Sequence, residues 1–108
     1  MTNETIIVLV TASSQEEARK IGRALVEQKL AACANLIPSI TSIFHWEGRI
    51  SEENETLVIL KTRRALFERL RDTVASLHSY DVPEIIAVSI AEGADSYLRW
   101  IASETLSC

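Results

Sequence analysis

Hydrophobic and polar positions switch between two periods along the chain, and the switches mark the elements. Thr5–Thr11 (TIIVLVT) is continuously apolar and β-branched, the pattern of a central strand buried on both faces. The polar run Ser13-Ser14-Gln15-Glu16-Glu17 then reads as a helix start, with Ser13 and Glu16, or Ser14 and Glu17, as a capping box. Helical spacing turns Ala18, Ile21, Leu25 and Leu30 inward and leaves Arg19, Lys20, Arg23 and Glu27 on the wet side. Gly22 lies among them at a cost of roughly 1 kcal/mol against Ala, which close packing on a sheet would explain.

Extended chain resumes at Ala31–Ile37, is interrupted by Pro38-Ser39, and continues over Ile40–Ile50. Along this second part Ile40, Ser42, Phe44 and Trp46 share one face, and Thr41, Ile43 and His45 the other. The uniformly polar Ser51–Asn54 is the expected turn, preferred over Glu47-Gly48, with Gly48 marking a bulge or kink. Thr56–Thr62 (TLVILKT) then returns as the partner strand of a long hairpin. Thr62 is expected to cap a second helix, Arg63–Leu77, with Leu66, Leu70, Val74 and Leu77 as its apolar stripe and Phe67 beside it. A loop rich in breakers, His78–Pro83, leads to a last strand, Glu84–Ile90. Asp95 is expected to cap a short helix over Ser96–Ser103, with Tyr97, Leu98 and Ile101 inside and Trp100 turned partly away.

The order β-α-β-β-α-β plus a terminal helix predicts an α+β, ferredoxin-like fold. Its helices cover one face of the sheet, so the other face needs a cover. Phe44, Trp46 and the long hairpin offer apolar surface for one, which implies an oligomer.

Composition narrows the function. The 108 residues make one domain, 1–108, with a net charge of −4. That acidity argues against nucleic acid and against anionic membranes as partners. The two cysteines, Cys33 and Cys108, form no metal-binding spacing; Cys33 reads as a buried small hydrophobe and Cys108 as a frayed terminus. Met1–Glu4 lacks a basic leader and Ile6–Val10 is too short for a signal peptide, so the cytoplasm is the expected location and the patterns at Asn3 and Asn54 are chance glycosylation matches.

Particular segments go further. Ala31–Ile50 (AACANLIPSITSIFHWEGRI), Leu60-Lys61-Thr62-Arg63, Tyr80–Ile85 and Tyr97–Ile101 resemble the CutA divalent-cation tolerance proteins, in the right order and over nearly the whole chain. The resemblance implies a homotrimer, similar in architecture to the PII signalling proteins, with interlocking hairpins and a link to copper and other divalent cations. It implies no catalytic reaction. It also places Trp46, Lys61, Tyr80 and Glu84 near an intersubunit cleft, where an apolar wall, a cation, a hydroxyl and a carboxylate would suit a small polar ligand.

A copper site is a narrower expectation. Copper favours thiolate and imidazole. Val10 and Leu77 stand where copper-binding bacterial members have a Cys and a His, which leaves His78, helped by Glu84 or by His78 of other subunits. The bland reading of His78 is a helix C-terminal histidine favoured by the dipole. His45 reads as a strand residue packed at a subunit contact, and Asp81 with Glu84 as a weak carboxylate pair across Pro83.

The expected function is thus a trimeric, non-catalytic module in divalent-cation tolerance. The alternatives are a cleft sensor of a small ligand and a structural trimer that recruits a protein. The phosphate loop of acylphosphatases is absent at Ala12–Gln15, and Ile6–Val10 and Glu84–Ile90 lack the aromatics of an RNA-binding sheet.

Overall fold

The computed structural model describes residues 4–107, so Cys108 and the first three residues lie outside it. In chain order it comprises β1 (Thr5–Ala12), α1 (Gln15–Glu27), β2 (Cys33–Trp46), β3 (Arg49–Arg63), a 3₁₀ turn (Arg64–Leu66), α2 (Phe67–Leu77), β4 (Ile85–Ser89) and α3 (Asp95–Ser103). The four strands form one antiparallel sheet in the order β2-β3-β1-β4. This is the split βαβ plan expected from the sequence.

The core lies between one face of the sheet and α1 with α2. Ile6, Val8 and Val10 on β1 and Val58 and Leu60 on β3 meet Ala18, Ile21 and Leu25 of α1 and Leu70 and Val74 of α2, all buried. Gly22 is tight against the sheet: a Cβ there would sit 3.1 Å from the Ala34 Cβ. The alternate residues of β1, Ile7 and Leu9, are only half-buried. The apolar run of β1 predicted burial on both faces, but within one chain no α1–α2 layer covers the second one. Ile37, Ile86 and Val88 are exposed on that side.

The hairpin of β2 and β3 turns at Glu47-Gly48, not at Ser51–Asn54. Trp46 pairs directly with Arg49, and Glu47 (φ 52°) and Gly48 (φ 79°) are both left-handed, as a two-residue turn of the favoured hand requires. Ser51–Asn54 is strand. Its polarity reflects a hairpin arm that projects past the core and meets water, not a reversal of the chain. Pro38-Ser39 makes the expected irregularity, a register shift between Ile37 and Ile40, with Ser39 at φ 67°.

Two caps differ from expectation. Thr62 belongs to β3, where its hydroxyl donates to the Leu30 carbonyl at 2.7 Å, so it locks the α1–β2 connection instead of capping α2. The chain enters α2 through the 3₁₀ turn, without a side-chain cap. Ala94, not Asp95, is the N-cap of α3. On α3, Ile101 is buried and Leu98 half-buried as expected. Tyr97 is exposed like Trp100, and their rings stack at 5.5 Å. Arg63 fastens the segment after α3, donating to Thr105 Oγ1 at 2.9 Å and to the Leu106 carbonyl.

The turn gives a direct test. Gly48→Val forces a β-branched residue into a left-handed conformation and should lower stability by about 1–2 kcal/mol in denaturant unfolding at fixed protein concentration. An unchanged midpoint would contradict the two-residue turn.

Candidate functional site

The loop after α2 is held by a polar network that begins at the start of α1. Ser14 caps α1, its hydroxyl accepting the Glu17 N–H at 3.1 Å. Glu17 Oε1 reaches back to accept the N–H and hydroxyl of Ser13, at 2.9 and 2.8 Å. The Ser14–Glu17 box is therefore realised with its return bond one residue earlier than the usual form. The second oxygen, Oε2, accepts the Ser79 N–H at 2.7 Å, which ties this loop to α1. Burial works against the charge on Glu17, whose side chain is 13% exposed. The donors on Ser13 and Ser79 outweigh burial and bring the carboxyl to about 2.

His78 lies at the centre of this network with a side chain that is 0% exposed. Its Nε2 lies 2.7 Å from the Thr11 carbonyl, which can only accept, so Nε2 carries the proton. Its Nδ1 accepts the Tyr80 N–H at 3.1 Å. Both ring nitrogens are thereby engaged, and no lone pair faces solvent. Two residues on, the Tyr80 ring lies 4.7 Å from the imidazole. The Tyr80 hydroxyl donates to Glu55 Oε2 at 2.7 Å, and burial followed by this bond pushes the phenol well above its ordinary range. Glu55 is itself buried, on the part of β3 that lies beyond the end of β1. Tyr80 thus spans from the α2–β4 loop to the root of the hairpin arm.

Lys61 occupies a different place. It lies on β3 between Cys33 of β2 and Ile7 of β1, and its Nζ donates to Asn35 Oδ1 at 2.7 Å. The Tyr97 ring centroid is 6.0 Å from Nζ. Cys33 is half-buried, less enclosed than expected, and its thiol donates to the same Asn35 oxygen at 3.5 Å.

Trp46 is at the tip of the hairpin, 57% exposed, and Glu84 is exposed just before β4. Among the described residues none of Trp46, Lys61, Tyr80 and Glu84 hydrogen-bonds or pairs with another of the four. The register explains why. Trp46 faces Arg49, and Lys61 lies twelve residues further along β3. That separation is about 40 Å of strand, nearly the full 44 Å length of the molecule. A cleft with both residues therefore requires two copies of the chain.

The metal expectation meets a similar result. The described residues contain no group of three or more His, Cys, Asp or Glu side chains able to hold an ion. His78 would have to release the Tyr80 N–H before Nδ1 could ligate, and the protonated Nε2 is bound to the Thr11 carbonyl. A single chain does not fit copper at His78. His45 is exposed, and Asp81 and Glu84 are exposed with no recorded bond between them.

Glu17, Glu55 and Asn35 hold these candidate residues in place, and the sequence reading did not single them out. Glu17 was visible only as a helix cap. Its link to Ser79 spans 62 positions, and that of Glu55 to Tyr80 spans 25.

The low value at Glu17 predicts an acid-sensitive contribution to stability. A carboxyl held below its ordinary 4.5 stabilises the fold above that pH, and the contribution fades as pH falls from about 4.5 towards 2. Glu17→Gln should lower stability at pH 7 and flatten the stability profile across that window, as read by denaturant unfolding at a series of pH values. A profile parallel to that of the wild type would contradict the network.

Comparison with known proteins matches this architecture. The model of the CutA1 divalent ion tolerance protein family covers residues 6–104. The divalent-cation tolerance protein CutA of Thermus thermophilus is 48% identical over 99 residues, spanning 92% of this chain and 96% of that protein. The chloroplastic protein CutA of Arabidopsis thaliana is 44% identical over 94% of this chain, which spans only 56% of that longer protein. The crystal structure of CutA1 from Oryza sativa superposes with a TM-score of 0.96 at 38% identity, covering 99% of this chain and 98% of that one. The chain belongs to the CutA1 divalent ion tolerance family.

Proposed function

We propose that the protein is a homotrimeric, non-catalytic binding and signalling module in divalent-cation tolerance, built like the PII signalling proteins, and that its ligand-binding cleft lies between subunits. The observation that carries this reading is the apolar surface one chain leaves uncovered. Ile43 (65% exposed), Trp46 and Ile50 (69%) crowd the hairpin arm, and Ile37, Ile86 and Val88 line the open sheet face. An isolated two-stranded arm is marginal in water, and large apolar side chains exposed on both the arm and the sheet mark an association site. Hairpins that reach across to neighbouring copies bury both surfaces at once. They also bring Trp46 of one copy towards Lys61 of another, which the 40 Å register forbids within a chain.

Copper or another divalent cation is the ligand class that the family description suggests. In this chain His78 and Glu84 are the residues proposed for it, and they would act only across subunits and after His78 leaves the Tyr80 N–H. The divalent-ion response is therefore assigned to the assembled cleft. A cytoplasmic location belongs to the same reading. No helix among the described residues is long and apolar enough to cross a membrane.

Native mass spectrometry with and without Cu²⁺, after removal of carried-over metal, tests the reading. The expected result is a trimer that takes up a fixed number of ions, lost in His78→Ala. A monomer would overturn the cleft. A trimer that stays metal-free, or gains ions only diffusely, would overturn the divalent-ion part of the reading and leave the small-ligand cleft.

A further inference from the structure

Lys61 stands on an apolar surface without a counter-charge. On the sheet face away from α1 and α2 its row is Cys33, Lys61, Ile7 and Val88, and the next row is Asn35, Ile59, Leu9 and Ile86. Among the described residues no carboxylate pairs with the half-buried Lys61. An ammonium has three N–H donors. One reaches Asn35 Oδ1 at 2.7 Å, and the Cys33 thiol donates to that same oxygen at 3.5 Å. The donor-only ammonium fixes the Asn35 amide: its oxygen is taken, and its Nδ2 hydrogens are left to donate. The remaining hydrogen-bonding capacity of Lys61 and Asn35 is thus all of one kind, and it is complementary to an anion.

The surroundings narrow the anion. The Tyr97 ring lies 6.0 Å from Nζ and continues into Trp100, stacked at 5.5 Å, so an exposed flat apolar wall stands beside the cation. One positive charge and one amide donor match a singly charged planar group that accepts through two oxygens, rather than a doubly charged phosphate. Covering this face would also desolvate Lys61. A buried ammonium without a counter-ion is strongly unfavourable, so an anion enters with the cover.

We propose that Lys61, Asn35 and Tyr97 form a carboxylate receptor on the open face of the sheet, whose carboxylate comes from a small molecule or from a side chain of a second copy. This names the ligand class of the intersubunit cleft and rests on that reading.

The probe is benzoate, with benzamide as its neutral counterpart, titrated into the full chain by calorimetry while native mass spectrometry reads the assembly of the same samples. Lys61→Met keeps the aliphatic stem and removes the charge. Asn35→Asp supplies a counter-ion from within, and it serves as the independent variant should Lys61→Met fold poorly. For a small-molecule carboxylate, benzoate should bind saturably and benzamide should not. Both variants should weaken benzoate by more than about tenfold with the trimer intact. For a carboxylate from a second copy, the wild type should ignore benzoate, and each variant should loosen the assembly by more than about tenfold. The proposal is overturned if benzoate binds wild type and variants alike. It is equally overturned if benzoate is ignored and the variants assemble as the wild type does. A monomer would overturn the cleft reading separately; benzoate binding that depends on Lys61 would then still support the receptor, and its absence would overturn it.

Discussion

A sheet has two faces, and α1 with α2 cover only one; α3 reaches the other beside Lys61 without closing it. Everything on the helical side closes on itself: β1 and β3 meet α1 and α2, Gly22 lets α1 approach β2, and Thr62 locks the connection between them. The opposite side keeps Ile7 and Leu9 half-buried and Ile37, Ile86 and Val88 exposed, and the hairpin arm extends this surface beyond the core. Burial of apolar area is the main favourable contribution to folding and association. A small domain leaves much of its surface unburied, and here the long hairpin and the half-buried Lys61 both lie on the side that α1 and α2 do not cover.

A polar network sets how the arm is held. Glu17 fixes Ser79, His78 bridges the Thr11 carbonyl and the Tyr80 N–H, and Tyr80 reaches Glu55 at the base of the arm. The start of α1, the end of β1, the loop before β4 and the root of the hairpin are thereby joined through four side chains. Tyr80 belongs both to this network and to the residues proposed for the cleft. His78 contributes by position rather than by an open coordination site.

Much of this was legible in the chain, and the failures share a physical cause. The continuous run Thr5–Thr11 and the stripe Ala18, Ile21, Leu25 encode burial locally, so β1 and α1 could be read directly. The turn was not, because Ser51–Asn54 is polar without reversing the chain: it is strand, on an arm that projects past the core of its own chain. Thr62 looked like a cap because a Thr before a helix usually is one, but its partner is the carbonyl of Leu30, on the far side of the α1–β2 connection. At the candidate site Lys61 and Tyr80 could be named from their segments. Glu17, Asn35 and Glu55 could not, since a carboxylate or amide acquires its role from partners that only the fold supplies.

The central claim is that the hairpin arm is covered by other copies of the chain. Amide hydrogen exchange of Ile40–Trp46 and of Arg49–Asn54 at micromolar protein concentration tests it most directly. The account predicts protection well beyond what an exposed two-stranded arm supports, approaching that of β1, and its loss on dilution that dissociates the assembly. Rapid exchange along the whole arm at every concentration, beside a well-protected β1, would contradict it.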